Sequence, residues 1–190
     1  MSIRLCSAFA ALILALAPAC SRDAQPLSPS VGPGGLLAVA GGIERVVSIF
    51  DACDPTTFNA VLGAGACTRN GGVSFQAFID MLTTHQTAGP WHFAPNVLTM
   101  KEGQKLVAVN NGGETHTFTE VEEYGGGIVP SLNQLSGNPQ VAPECTQLKP
   151  GDFLPPGARS SEVTDESGVE KYQCCIHPWM RAEVRIAAEK

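Results

Sequence analysis

Tyr172-Gln173-Cys174-Cys175-Ile176-His177-Pro178-Trp179-Met180, close to the end of the chain, is the stretch on which the interpretation of the whole sequence depends. It contains a thiol, an imidazole and a thioether at three-residue intervals, on Cys174, His177 and Met180. A second imidazole, that of His116, lies upstream in Asn110-Asn111-Gly112-Gly113-Glu114-Thr115-His116-Thr117-Phe118. Two imidazole nitrogens, one thiolate and one weakly bound thioether are the donor atoms of a mononuclear electron-transfer copper site.

The spacing of these residues, Cys-x-x-His-x-x-Met, resembles the ligand loop of the cupredoxin family, and its short length is most similar to amicyanin. Tyr172 before the cysteine and Pro178 after the histidine belong to the same resemblance, which covers residues 91–188. It implies a mainly β fold, a Greek-key β-sandwich formed by a copper-binding domain of residues 91–190. It also implies one type 1 copper ion and a function in transferring single electrons. The implied ligands are His116, Cys174, His177 and Met180.

Two neighbouring cysteines are present where the resemblance requires one ligand. Cys174 has the two-residue gap to His177, and adjacent residues of a strand point to opposite faces, so Cys175 is not expected in the same site. The alternative is a vicinal Cys174–Cys175 disulfide without a metal, which is strained and leaves His177 and Met180 without a role. Many cupredoxins have Asn or Ser after the first histidine. Here the hydroxyl of Thr117 is expected to supply that hydrogen bond across the ligand loop.

The other cysteines are interpreted on the premise of export, because disulfides form in oxidising compartments. Beyond Cys20, the chain contains Cys53, Cys67, Cys145, Cys174 and Cys175. If Cys174 binds copper, the remaining four allow three disulfide connectivities. We favour Cys53–Cys67 together with Cys145–Cys175, because the first pair closes a short loop. Such a loop stabilises a fold by about 3 kcal/mol in the entropic model.

The first residues have the composition of an export signal. Residues 1–19 contain Arg4, an apolar run too short to span a bilayer as a helix, and small residues before Cys20. Cleavage there predicts either a lipoprotein tethered to the membrane through Cys20 or, after ordinary signal cleavage, an unpaired terminal thiol. Both alternatives predict a location in the periplasm or cell envelope. Residues 20–35, rich in Ser, Pro and Gly, are predicted to form a flexible tether.

The charge of the exported chain is acidic. Without the signal it has 11 basic residues (the 12 of the full sequence less Arg4) and 18 acidic residues, a net charge of −7 with histidine neutral. This balance argues against nucleic acid as a partner, because phosphate contacts require Lys and Arg. A redox protein is the predicted partner, for example a cytochrome c or a periplasmic oxidoreductase. An acidic cluster near His116 either steers a basic partner or forms a solvated face. Its members are Glu114, Glu120, Glu122 and Glu123.

Residues 36–90 are predicted to form a helical extension ahead of the copper-binding domain. Apolar residues recur at helical spacing in Ile43, Val46, Val47 and Phe50. Asp54-Pro55 is a helix-start signal ahead of Thr56–Leu62. Ser74 is expected to cap a second helix, whose apolar stripe is Phe75, Phe78, Ile79 and Leu82. His85 is expected at the surface just past this helix.

From Trp91 onward the pattern favours strands, because short runs of β-branched and aromatic residues are bounded by turn residues. The predicted strands are Val97–Met100, Leu106–Asn110, Thr115–Val121, Val169–Cys174 and Arg181–Ile186. Residues 125–143 are predicted to form a long loop. His92, which alternates with aromatic neighbours, is interpreted as a structural histidine and not as a ligand.

Three alternatives to an electron carrier fit parts of the sequence. A protein for copper storage, delivery or resistance is the main one, but it favours Met-rich runs, whereas the four methionines here are scattered. A nitrite reductase-like or multicopper enzyme needs a second copper centre, and only His85 and His92 are left to supply histidines for it. A cupredoxin fold that has lost its metal is disfavoured by the intact ligand set. The chain is therefore predicted not to be an enzyme.

Overall fold

The computed structural model describes residues 43–188, so the predictions made for residues 1–19, Cys20 and residues 20–35 lie outside the described part of the chain. The helices in this range are α1 (Pro55–Leu62), α2 (Phe75–His85) and α3 (Pro130–Leu135). The strands are β1 (Glu44–Phe50), β2 (His92–Ala94), β3 (Val97–Lys101), β4 (Lys105–Asn110), β5 (His116–Thr117), β6 (Thr119–Val121), β7 (Phe153–Leu154), β8 (Arg159–Val163), β9 (Gly168–Gln173) and β10 (Arg181–Ala187). Within residues 43–188, no helix has the length and apolar character needed to cross a membrane.

Two four-stranded mixed sheets form the fold. The first has the strand order β2-β1-β4-β8, and the second has the order β3-β10-β9-β6. Each sheet contains one parallel pair, β1 with β4 and β3 with β10, and its other pairs are antiparallel. Strands β5 and β7 pair with each other in a separate two-stranded ribbon. The prediction of a mainly β sandwich is confirmed.

The core is formed by alternate residues of the strands. In β10, Ala182, Val184 and Ile186 are buried, whereas the residues between them are more exposed. In β1, Val47 and Ile49 are fully buried in the same way. This period of two matches the pleat of a strand that has one face on a core. Burying each such Val or Ile side chain stabilises the fold by about 1.5–3 kcal/mol.

The helix predicted around Ile43–Phe50 is wrong, because this segment is strand β1. Six of its residues pair in parallel with β4, and three pair with β2. Apolar residues three and four apart fit a helix, but Val47 and Ile49 also fit a strand, and periodicity alone does not separate the two over so short a segment. The β-branched side chains and the partner strands decide the outcome. The segment predicted to be helical therefore contributes a strand to one of the main sheets.

Both later helices of this segment are confirmed. Helix α1 begins after Asp54, whose carboxylate accepts the backbone N–H groups of Thr56 and Thr57. Helix α2 begins after Ser74, whose hydroxyl accepts the N–H of Ala77 at 3.2 Å. Its apolar stripe buries Phe78 and Leu82. His85 is exposed, as expected, but it is the last residue of α2 and does not follow it.

Removing the cap of α2 gives a first testable prediction. Replacing Ser74 by Ala leaves the Ala77 N–H without its side-chain partner, so we expect the free energy of unfolding to fall by about 1 kcal/mol. Urea denaturation measures this loss. Ser74→Asn is the matched control, because asparagine caps helices as well as serine does. Equal losses in the two variants would contradict a role for the cap.

Three strands, β2, β7 and β8, and one helix, α3, were not predicted from the sequence. Strand β8 is an edge strand of the first sheet and is mostly exposed, so it has no apolar alternation to detect. Strand β7 is only two residues long. The predicted loop at residues 125–143 contains α3, and Gly127 lies in it where an added Cβ would overlap the carbonyl oxygen of Cys175. This close approach explains a glycine at that position.

Disulfides join the pairs of cysteines that the sequence favoured. Cys53 is bonded to Cys67, and Cys145 is bonded to Cys175. The second bond ties the short 3₁₀ turn Pro143–Thr146 to the residue directly after Cys174. Among the described cysteines, Cys174 is the one with a free thiol, and it is buried.

Candidate metal centre

Three of the predicted ligands converge on one buried point. His116 lies on β5, Cys174 directly follows β9, and His177 lies in the turn between β9 and β10. The Sγ atom of Cys174 is 3.7 Å from Nδ1 of His116 and 3.7 Å from Nδ1 of His177. The three donor atoms lie within 4.8 Å of one another. The exposed fractions of the three residues are 0%, 0% and 3%, so solvent has almost no access.

The turn that carries Cys174, His177 and Met180 is closed by its own backbone. The Cys174 N–H donates to the carbonyl oxygen of Met180 at 3.0 Å, and the Met180 N–H donates to that of His177 at 2.9 Å. Pairing of Gln173 with Arg181 brings the two strand ends together. Met180 is only 1% exposed. The predicted fourth ligand thus lies in the same closed turn as Cys174 and His177.

Thr117 supports the cysteine in two ways. Its backbone N–H points to Sγ of Cys174 at 3.4 Å, a direction that favours a thiolate. Its hydroxyl accepts the N–H of Cys175 at 2.8 Å and receives a hydrogen bond from the hydroxyl of Thr119. The hydroxyl therefore bridges β5 and the ligand loop, which is the hydrogen bond that the sequence predicted for it.

The environment favours a thiolate on Cys174. Burial raises the pKa of the thiol, but the contacts with His116 and His177 outweigh burial and hold this pKa well below its ordinary value. Burial lowers the pKa of His116, whereas Asp51 and Cys174 raise it, with a net result of about 9. These contacts therefore favour a thiolate on Cys174 and a proton on His116. The thiolate is the form of cysteine that binds a metal cation.

Asp51 is a residue of the site that sequence reasoning missed. Its Oδ2 atom lies 2.9 Å from Nε2 of His116 and also accepts the N–H groups of Gly113 and Glu114. Burial raises the pKa of Asp51, but the bonds from His116, Glu114 and Gly113 outweigh it and lower this pKa to about 2. Asp51 is therefore a carboxylate that fixes the orientation of the His116 ring through Nε2, the nitrogen that does not face Cys174.

The position of Asp51 was detectable once β1 was known to be a strand. Val47 and Ile49 face the core, and Asp51 is the next residue in the same alternation, directly after the strand ends. Gly112 makes room for it, because an added Cβ there would overlap the Asp51 carboxylate. Because this segment was interpreted as a helix, the alternation of a strand was not considered, and Asp51 was not recognised as facing the site.

Glu114 contradicts the prediction of an acidic surface cluster. Its side chain is 8% exposed and lies 3.8 Å from Nε2 of His177, and Nε1 of Trp91 donates to it at 2.5 Å. Burial raises its pKa above the ordinary value, and His177 and the Trp91 hydrogen bond offset part of that rise. The other members of the cluster, Glu120, Glu122 and Glu123, are exposed. Each of the two histidines thus has a carboxylate behind it.

His177 is covered by aromatic side chains and is only 3% exposed. The ring of Phe78 from α2 lies edge-on at 6.4 Å between centroids, and that of Trp179 lies at 5.4 Å. An apolar cavity of about 380 Å³ borders the ring, lined by residues of α1, α2 and α3 and by Ile176. The helices of the N-terminal segment therefore shield the site.

Two histidines take no part in the described site. His92 stacks on Phe50 at 5.3 Å and directs Nδ1 at the carbonyl oxygen of Pro90, which confirms a structural role. His85 lies at the end of α2. A second group of close polar atoms, from Asp51, Cys53 and Glu114, is not a metal site, because Cys53 is bonded to Cys67.

The spacing of the donor atoms fits a trigonal metal ion. Bonds of about 2.0 Å to nitrogen and about 2.3 Å to sulfur, the lengths known for zinc, separate the two atoms by about 3.7 Å at trigonal angles. The observed separations are both 3.7 Å. By ligand type, two imidazoles, one thiolate and one thioether suit copper, whereas structural zinc sites are mostly formed by cysteine and histidine in a tetrahedral arrangement. The residues therefore fit the implied copper ion.

When the chain is compared with known proteins, similarities are found to solved structures and not to protein families or curated proteins. A purple cupredoxin from Nitrosopumilus maritimus is 23% identical over 53% of this chain and 86% of its own, with a TM-score of 0.39. Amicyanin from Paracoccus versutus is 20% identical over 50% of this chain and 73% of its own, with a TM-score of 0.35. No protein-family model and no curated protein matches. The fold, as the sheets show, is a mainly β sandwich. The assignment of the metal ligands rests on the side chains of this chain.

Proposed function

We propose that this chain is a mononuclear copper protein that transfers single electrons between redox partners. His116, Cys174, His177 and Met180 are the proposed ligands. The observation that carries the proposal is the pair of 3.7 Å separations between Cys174 Sγ and the Nδ1 atoms of both histidines, in a site closed to solvent. Three such donors with almost no access to solvent suit an ion that changes its oxidation state and keeps its ligands.

The bound copper ion would supply a reversible one-electron couple between Cu(I) and Cu(II). The contribution of the protein is to keep the donors in place. His116 is fixed by its strand and by Asp51, and Cys174 is fixed by the closed turn and the N–H of Thr117. Because the ligand side chains are packed and hydrogen-bonded, they move little when the charge of the site changes. Small rearrangement is the condition for fast electron transfer.

Electrons are proposed to enter and leave through the aromatic side chains beside His177. Trp179 is half-buried and lies 5.4 Å from the imidazole ring, and Phe78 lies behind it. The ring of Trp179, which is partly exposed, thus connects His177 with the surface of the ligand turn. The partner proposed for this face is a redox protein, such as a cytochrome c or a periplasmic oxidoreductase.

The proposed location depends on the export signal, which lies outside the described residues. We propose that the protein works in the periplasm or cell envelope, with Cys20 as the site of a lipid anchor. The two disulfides agree with an oxidising compartment. An acidic chain of this kind is not proposed to bind nucleic acid.

Copper storage or delivery is the alternative function for the same ligands. The burial of His116, Cys174 and His177 argues against it, since a site that hands over its ion needs an exit for the ion. A single set of two imidazoles and one thiolate is also unlike the sulfur-rich sets that select Cu(I). We therefore favour electron transfer, without any catalysed reaction.

Spectroscopy of the copper-loaded protein tests the proposal. Stoichiometric Cu(II) is expected to give an intense visible band from the thiolate–copper bond and a narrow electron paramagnetic resonance splitting. Ascorbate should remove both signals, and an added oxidised cytochrome c should restore them. A colourless protein with ordinary Cu(II) signals would overturn the electron-carrier function. A visible band without any electron exchange would favour the storage alternative.

A further inference from the structure

The two candidate histidines share an arrangement that the proposed function does not itself require. Each ring directs Nδ1 toward Cys174 and Nε2 toward a buried carboxylate. His116 faces Asp51 at 2.9 Å, and His177 faces Glu114 at 3.8 Å. A histidine whose second nitrogen donates to a carboxylate becomes a more basic ligand.

Asp51 is held in place independently of the histidine. Its Oδ2 atom accepts the N–H of Gly113 at 2.8 Å and that of Glu114 at 3.0 Å, and Oδ1 accepts the N–H of Cys53 at 3.2 Å. The Asp51 side chain is 1% exposed. Because the Cys53–Cys67 disulfide fixes the segment directly after it, Asp51 cannot easily turn away from His116.

No other described cation neutralises these carboxylates. In residues 43–188, the ion pairs of Asp51 and Glu114 are with His116 and His177, whereas the lysine and the arginines that form ion pairs do so with other carboxylates. The negative charge of Asp51 therefore acts on the metal centre through a single imidazole. In a buried site with a low effective dielectric, such a charge is felt strongly.

We propose that Asp51 is a positioning residue that sets the redox preference of the centre, acting through His116 to favour Cu(II) over Cu(I), and that Glu114 acts in the same direction through His177. This inference rests on the proposed function. With the thiolate and both carboxylates, a divalent ion leaves one uncompensated negative charge in the buried site. A monovalent ion leaves two. The second uncompensated charge disfavours the reduced state.

The contribution of Glu114 is smaller than that of Asp51. Its separation of 3.8 Å from His177 is longer than a hydrogen bond, and part of its charge is directed at the indole N–H of Trp91. Asp51, by contrast, makes a hydrogen bond of ordinary length with His116. The geometry therefore predicts a larger effect on the redox preference for Asp51 than for Glu114.

The test is the reduction potential of the copper-loaded protein and of two variants, Asp51→Asn and Glu114→Gln. Each amide keeps an acceptor for the imidazole N–H and removes the charge. We expect Asp51→Asn to change the ratio of the Cu(II) and Cu(I) dissociation constants about tenfold toward Cu(I). This corresponds to a rise in the potential of about 59 mV for a one-electron couple. Glu114→Gln is expected to raise it by less.

Asp54→Asn is the matched control. It makes the same change of carboxylate to amide three residues along the chain, at the cap of α1, and asparagine preserves that cap. Its potential is expected to equal that of the unmodified protein. Competition with a Cu(I) chelator provides a second readout, because tighter Cu(I) binding in Asp51→Asn must accompany the higher potential.

The outcomes separate this inference from the proposed function. If Asp51→Asn keeps the visible thiolate band but has an unchanged potential, the role of Asp51 is overturned and the electron-carrier function stands. If the unmodified protein has no such band, both are overturned. Should Asp51→Asn not fold, Glu114→Gln decides, and an unchanged potential there overturns the effect of buried carboxylates on the centre.

Discussion

Replacing Cys174 by serine is expected to abolish the visible band of the Cu(II)-loaded protein. The band requires a thiolate bond, and Cys174 has the free thiol within 3.7 Å of both histidines. Serine is nearly the same size but is a poor ligand, so copper affinity should also fall by more than the factor of about 10–100 that accompanies loss of an outer-shell partner. Absorption and competition with a chelator measure the two effects.

The control for this variant is the double replacement Cys145→Ser with Cys175→Ser. It removes the neighbouring cysteine and its disulfide, and leaves Cys174 in place. We expect the band to persist in this protein, although its free energy of unfolding should fall by about 3–4 kcal/mol for loss of a crosslink of 30 residues. A band that survives in Cys174→Ser and disappears in the double variant would identify Cys175 as the ligand.

Replacing Phe78 by alanine is expected to have the largest effect on stability and to open the metal site. Phe78 is 3% exposed, and its ring packs against Trp91 at 4.6 Å and Trp179 at 5.9 Å as well as against His177. Loss of a buried phenylalanine costs about 3–5 kcal/mol of unfolding free energy. Removing the ring also uncovers His177, so a chelator should extract copper faster. Urea denaturation and stopped-flow chelation measure these two results.

Phe93→Ala is the control that separates the loss of stability in Phe78→Ala from the exposure of His177. Phe93 is a core residue of the same size and is 2% exposed, but its ring packs against Phe118. We expect a similar loss of stability with a slower release of copper than in Phe78→Ala. Phe78→Leu should restore most of the protection, since leucine refills the space beside His177. Equal rates of copper release in Phe78→Ala and Phe93→Ala would show that α2 does not shield the centre.

The sequence was sufficient to predict those features that depend on residues close together in the chain. Asp54 and Ser74 cap α1 and α2 with their own side chains, and the apolar stripe of α2 results from helical spacing. The ligand loop is equally local, because Cys174 and His177 are three residues apart in one closed turn. The two disulfides were predicted because four cysteines remain once Cys174 is assigned to copper in a chain expected to be exported, and because Cys53 and Cys67 close a short loop.

Only the tertiary structure decided the features that depend on residues distant in the chain. Residues 44–50 fit either a helix or a strand until their pairing with β4 and β2 is known. Asp51 reaches His116 across 65 positions, and Glu114 is buried because Trp91 and His177 enclose it, whereas its acidic neighbours remain exposed. The sequence by itself determined the candidate donor atoms, because the chemistry of a thiol, an imidazole or a thioether belongs to the residue type. Packing decided which carboxylates contact the two histidines and which aromatic rings shield them from solvent. Burial and contact are properties of the folded chain and not of any segment alone.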